Sequence, residues 1–169
     1  GITYTLGEPL ALFANYASAY QTPTTVELSN RPDGLGGFND ELQPEYLRSL
    51  EVGIRGSHGE WRLAYEVAAY LSRVEDALLR YEGADEQVFF RNAGEISRNG
   101  LEVALTWAPN RSLEARLAYT YQDYEFVRFE DVGVDYSGNR EPGAPPHNVF
   151  AGVTYTAPWG LTSAIDFRW

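Results

Sequence analysis

Between Leu42 and Leu71 the odd and even positions carry different chemistry. Leu50, Val52 and Ile54 fall on one side of an extended chain, and Ser49, Glu51 and Arg55 on the other. After Ser57-His58-Gly59-Glu60, the residues Trp61, Leu63, Tyr65, Val67, Ala69 and Leu71 share one parity, while Arg62, Glu66, Tyr70 and Ser72 share the opposite one. Side chains on a strand alternate with period two, so the stretch reads as a hairpin with an apolar face and a charged face. A four-residue connection flanked by Gly56 and Trp61 keeps both apolar sets on the same side. A chain patterned in this way folds as antiparallel sheet, and what remains open is which solvent each face meets.

The pattern repeats along the chain. Strand signals run over Ile2–Leu6, Leu10–Tyr20, Tyr46–Gly56, Trp61–Leu71 (with a possible continuation to Arg80), Gly100–Trp107, Leu113–Tyr124, Asn148–Tyr155 and Leu161–Trp169. Short connections close four hairpins: Gly7-Glu8-Pro9, Ser57–Glu60, Ala108–Ser112 and Thr156–Gly160. They carry the Gly, Pro and Asn residues that tight turns need. Long polar segments, Gln21–Glu45, Glu75–Asn99 and Glu125–His147, separate the hairpins. Strict alternation of short and long connections is the asymmetry of an outer-membrane barrel. The apolar face holds no charge in mid-strand. Arg48 and Arg73 share its parity, but lie at the long-loop ends, where a guanidinium can snorkel to water. The opposite face carries Glu51, Arg55, Arg62, Glu66, Glu102, Glu114, Arg116, Asp166 and Arg168.

A soluble sandwich also alternates, with Tyr and Trp filling its core. Two features favour lipid. Trp61, Trp107, Tyr155 and Trp159 gather by the short turns, with Tyr16, Tyr20, Tyr119 and Tyr121 nearer the long loops, as interfacial girdles do. A charged inner face is costly in a packed core and natural beside an aqueous bore. The net charge of −11 argues against nucleic acid as a partner. Cysteine is absent, which excludes disulfides and thiolate chemistry.

Four blocks carry a family resemblance: "LFANYASAYQTPTTVEL", "ELQPEYLRSLEVGIRG", "VFFRNAGEISRNGLEVALTW" and "GNREPGAPPHNVFAGVTY". In order and spacing they resemble the barrel of the TonB-dependent outer-membrane receptors of ferric-siderophore or ferric-citrate type. The residues behind them read as structural punctuation. Pro23 ends a strand, Pro44 holds Gln43 extended, Asn92-Ala93-Gly94 resembles the family's N-x-G turn, and Asn99-Gly100 launches a strand. Pro142, Pro145 and Pro146 stiffen the approach to the strand at Asn148. The resemblance implies an all-β, up-and-down transmembrane barrel segment of eight strands at the cell outer membrane. Residues 1–169 would form a partial barrel domain, since such receptors have about 22 strands and a plug domain that is not recognisable here. The implied function is TonB-energised uptake of a ferric chelate or similar nutrient. The implied partners are the bilayer, the chelate and, through the plug, TonB. The competing reading is a self-contained eight-stranded barrel with a structural or adhesive role.

No enzyme is expected, and no cofactor. His58 sits in a short turn and His147 in a Pro-rich loop, which leaves a serine nucleophile without an inward base. The two histidines form no convincing metal set. Glu130, Asp131, Asp135 and Asn139 miss the calcium-loop pattern and read as solvated loop charge. The Asn110-Arg111-Ser112 sequon lies in a short turn. If the ligand is an anionic ferric chelate, the loop residues Arg31, Arg80, Arg91, Arg128 and Arg140 are its natural contacts. Tyr81 and Phe89 add stacking surfaces. Alone, the chain is expected to self-associate through open sheet edges.

Overall fold

Period-two alternation is realised as one antiparallel sheet in the computed structural model, which describes residues 1–7, 9–29, 31–33, 37–83, 87–92, 94–131 and 133–169. The strands are β1 (Ile2–Thr5), β2 (Ala11–Gln21), β3 (Glu45–His58), β4 (Leu63–Glu75), β5 (Leu78–Glu82), β6 (Val88–Asn92), β7 (Glu95–Trp107), β8 (Leu113–Arg128), β9 (Glu130–Asp131), β10 (Val134–Asp135), β11 (His147–Thr156) and β12 (Thr162–Arg168). Eight of them pair in the order β1-β2-β3-β4-β7-β8-β11-β12, while β5–β6 and β9–β10 are separate two-stranded ribbons in the long connections. Strands β1 and β12 occupy opposite edges, so the sheet does not close on itself and the self-contained barrel is not formed. Among the described residues no helix is long and apolar enough to cross a membrane, which says nothing of strands.

The register aligns the two chemistries across the sheet. One row runs Leu12, Ile54, Val67, Val103, Tyr119 and Val149, each opposite the next. A neighbouring row of the other parity runs Arg55, Glu66, Ala104, Ala118 and Phe150. Among the described residues no second sheet covers the apolar side. Leu50 keeps 46% of its surface exposed, and Val153 47%. On the charged side, Arg55 lies over the Phe13 ring and Arg168 over Phe150.

The turns sit close to where the alternation places them. The first long hairpin turns at residues 59–62, two later than the Ser57–Glu60 expected. A shift of two leaves the parity of both strands intact. Arg62 takes a left-handed φ of 49° there. The Ala108–Ser112 turn is as expected. Asn110 Oδ1 accepts from the amides of Ser112 (2.8 Å) and Leu113 (3.0 Å), so this side chain closes the turn. Glu8 of the first turn and Ala93 of Asn92-Ala93-Gly94 lie outside the described residues.

Three expectations need correcting. Glu75–Asn99 and Glu125–His147 are not wholly loop: β7 starts at Glu95, β8 runs to Arg128, and the ribbons add four strands. Gly100 does not launch β7 but sits within it opposite Tyr70, whose ring fills the space a side chain at 100 would take. Neither histidine is in a loop. His58 ends β3, stacked on Trp61 at 4.3 Å. His147 opens β11 on the apolar side, where Nδ1 lies 2.9 Å from the Tyr119 hydroxyl and the ring packs near Tyr121 and Trp169. The third long segment, Gln21–Glu45, holds a single helical turn, α1 (Thr25–Leu28), closed by a Thr24–Glu27 capping box.

Candidate functional site

The long connections converge on the charged side of the sheet, beyond its charged stretch. There Val74, Ala77, Ile96, Phe126 and Phe129 form a buried cluster, with Leu47 and Leu79 packed against it. Leu47 has the parity of Glu51 and Arg55 and pairs with Val74. Val74 in turn faces Ile96, and Ile96 faces Phe126. The charged face therefore turns apolar near the long-loop end. A register shift between Glu95 and Ile96 leaves Val127 unpaired and bends the strands where the loops fold inward.

Loop segments are pinned to this platform by polar contacts. Asn92 accepts from the Gln43 amide (2.8 Å) and donates to the carbonyls of Gln43 (2.9 Å) and Asp76 (2.6 Å). Asp76, with φ 56°, donates from its amide to the Gly94 carbonyl at 2.7 Å. Gly94 has φ 56°, and any Cβ there would strike the Arg128 carbonyl, so the turn admits only glycine. Arg98 Nε and Nη2 donate to the two Glu141 oxygens at 2.8 and 2.6 Å, tying β7 to the connection before β11. On the apolar side, Arg48 pairs with Glu75 (2.9 Å) and Arg73 with Glu95 (2.5 Å), a charged belt where the two arginines were expected to reach water.

The candidate ligand residues divide into a group and outliers. Tyr81 and Phe89 face each other across β5–β6 with ring centroids 5.6 Å apart. Arg91 lies over the Tyr81 ring at 4.4 Å and 5.4 Å from Phe129, with its guanidinium forked onto Asp131 of β9. These three candidates form one site. Arg80, on the same ribbon, is exposed and paired with Glu82 at 2.9 Å. Arg31 is held by Asp33 at 2.6 Å, and those hydrogen bonds raise its pKa above the ordinary guanidinium value. Arg140 lies 3.7 Å from Asp123. Arg128, at the end of β8, makes no ion pair among the described residues. Phe129 and Asp131 complete the cluster; Phe129 was not singled out, and Asp131, expected as solvated loop charge, is instead half-buried and paired with Arg91. Arg91, the partner the two share, is about forty residues away, so no local pattern marks the contact. Of the other loop acids, Asp135 accepts from Ser137, whose hydroxyl and amide hold its carboxyl below the usual range.

The arrangement is an uncovered apolar sheet face with a charged reverse, capped at one end by loops that present guanidinium and aromatic groups. That is the architecture of an outer-membrane barrel wall. The family model "TonB dependent receptor-like, beta-barrel" matches residues 1–169, and the chain belongs to that family, which comprises receptors and transporters, not enzymes. The fold is similar to the copper transporter OprC (TM-score 0.75, 20% identity, 98% of this chain and 25% of that one). It is similar also to the ferric-catecholate import receptor Fiu from E. coli K12 (0.73, 20%, 98% and 23%). A third similar structure is the ferric enterobactin receptor PfeA of Pseudomonas aeruginosa (0.73, 19%, 99% and 26%). The chain thus spans about a quarter of the length of each.

Proposed function

We propose that residues 1–169 form part of the barrel of an outer-membrane receptor that takes up an anionic ferric chelate with energy from the TonB system. In this reading the apolar face meets lipid, the charged face meets the aqueous lumen and the plug, and the long connections face outward to the ligand. The observation that carries it is the Tyr81–Phe89–Arg91 group. A guanidinium held over the Tyr81 ring and near Phe129 offers charge and planar hydrogen bonding with little side-chain entropy left to lose. This suits a chelate whose iron is already wrapped in anionic oxygen ligands. Within the chain there is neither Cys nor Met to offer a soft donor to a bare metal ion.

Calorimetry of the full-length receptor against ferric citrate, ferric tris-catecholates, cobalamin, copper ions and oligosaccharides tests the reading. Binding of a ferric chelate, weakened by replacing Arg91 or Arg128 with Gln, is expected. Tight binding of cobalamin or a sugar with no response to any ferric chelate would end it.

A further inference from the structure

We propose that Asp131 is a built-in competitor for the ligand. Its pair with Arg91 is a latch that holds β9–β10 against β5–β6 until an anionic chelate takes the guanidinium. The inference rests on the preceding proposal that this loop cluster binds such an anion.

The geometry gives three reasons. First, Arg91 and Asp131 lie forty residues apart in sequence and join two ribbons that share no ladder. Both Asp131 oxygens are engaged, one by Nη1 and one by Nη2, and the side chains remain 27% and 23% exposed, so a soluble anion can reach the pair. Second, the pairing is incomplete. Arg91 Nε is buried and has no hydrogen-bond partner among the described residues. A buried donor left unpaired is destabilising. An oxygen-rich anion gripping the side of the fork through Nε and one Nη would satisfy the donor that end-on Asp131 leaves bare. Third, the platform stays put when the pair opens. Phe129 is anchored in the buried cluster, and its carbonyl accepts from the Tyr136 amide at 2.8 Å. The two-residue strands β9 and β10 hold only Val134↔Asp131 and Asp135↔Glu130. Release of Asp131 therefore frees Glu130, Asp131, Val134 and Asp135 about Phe129, while Tyr81 keeps Arg91 aimed at the vacated position.

A competitor and a structural strut respond with opposite signs. In the full-length receptor, ferric citrate and a ferric tris-catecholate serve as calorimetric probes. Asp131→Asn is expected to tighten the probe that binds by roughly fivefold or more, and Arg91→Gln to weaken it by at least as much. Hydrogen exchange supplies a readout that needs no ligand. The amides of Glu130, Asp131, Val134 and Asp135 should exchange faster in both variants than in the wild type, and faster in the wild type once the probe is bound. If Asp131→Asn weakens binding as Arg91→Gln does, or if the probe slows exchange at those four amides, the latch is wrong while the receptor reading survives. If the wild type binds neither probe, the receptor reading fails first and the latch falls with it.

Discussion

The hydroxyls of Tyr70 and Tyr124 meet at 2.9 Å on the charged side of the sheet, across β7, from strands that are not neighbours. The contact exists because Gly100 lies between them. The Tyr70 ring occupies the place of a side chain at position 100 and so reaches Tyr124. Phe13 covers Gly53 in the same way across the β2–β3 pair. Glycine weakens a strand by leaving a gap, and an aromatic from the facing strand fills it. Gly100→Ala should displace the ring, break the hydroxyl pair and cost about 1–3 kcal/mol through overpacking. Urea unfolding of the full-length receptor from liposomes checks this, and a variant as stable as the parent would show that the ring has room to move.

Val67 sits mid-row on the apolar face, with Ile54 and Val103 opposite it. If that face meets hydrocarbon, Val67→Arg should cost about 2–4 kcal/mol in a bilayer. Ala104→Arg, on the reverse face opposite Glu66, should cost much less. The same liposome unfolding experiment reads both. Equal losses at the two sites would remove the lipid assignment, because only a hydrocarbon solvent makes the faces so unequal.

What the sequence made legible follows the period. The mid-sheet apolar positions assigned a face, from Leu50 to Ile165, fall on it, because a single slip would have reversed a whole strand. The upper third was harder to read. Val74 and Ile96 lie beside Arg73, Glu75 and Glu95, whose charges read as loop although Arg73 pairs with Glu95 and Glu75 with Arg48 across the strands. Ile96 keeps the parity of Glu102 and so lies on the charged side by alternation alone, while the extra residue Val127 on β8 brings Arg128 opposite Glu95 instead. Gly100 read as a strand start because glycine is rare within strands, and only the facing Tyr70 explains it. The helix α1 did have a signal, Thr24-x-x-Glu27, lost among the threonines around Pro23. The Arg91–Asp131 pair had none, since two-residue strands forty positions from their partner leave no periodic trace.

Asn92 makes three hydrogen bonds to two other segments, so it joins the ends of β6, β4 and the approach to β3. Replacing it with Ala strands the Gln43 amide and two carbonyls at once. The expected loss is about 1–3 kcal/mol, mostly from the unpaired groups. Faster hydrogen exchange at Gln43 and across β5–β6 in Asn92→Ala, without change in β11–β12, is the expected pattern. A uniform change across the sheet would mean that Asn92 supports the whole sheet and not the loop platform.

Asp135 provides a pH dependence with a defined sign. Ser137 donates to its carboxylate, so the folded pKa lies below the unfolded one. Such a group stabilises the turn fully above its unfolded pKa and loses that contribution as the pH falls through the folded value. The Ser137 amide should therefore exchange faster, relative to the intrinsic rate, as the pH drops below the ordinary aspartate range. Asp135→Asn should abolish that acid-side change. A wild-type profile that tracks the variant throughout would show that the hydrogen bond contributes nothing in solution.

The last expectation concerns the edges. Strand β12 is exposed along its length, with Ile165 at 78% of its surface, and at the other edge Ile2 stands at 71%. Each edge also presents unpaired backbone donors and acceptors along one side, an open template for a further strand. A second copy of the chain can satisfy an edge only by adding its own strand, and doing so buries apolar surface that water otherwise meets. Residues 1–169 alone, without detergent, should therefore sediment as oligomers or aggregates, and detergent should shift them toward smaller species by covering the apolar face. Charges placed outward on β12, as in Ile165→Glu together with Phe167→Lys, should weaken the association if β12 is the contact. A monomeric wild-type chain in plain buffer would show instead that the edges and the apolar face are both tolerated by water, and the lipid-facing reading would lose its physical support.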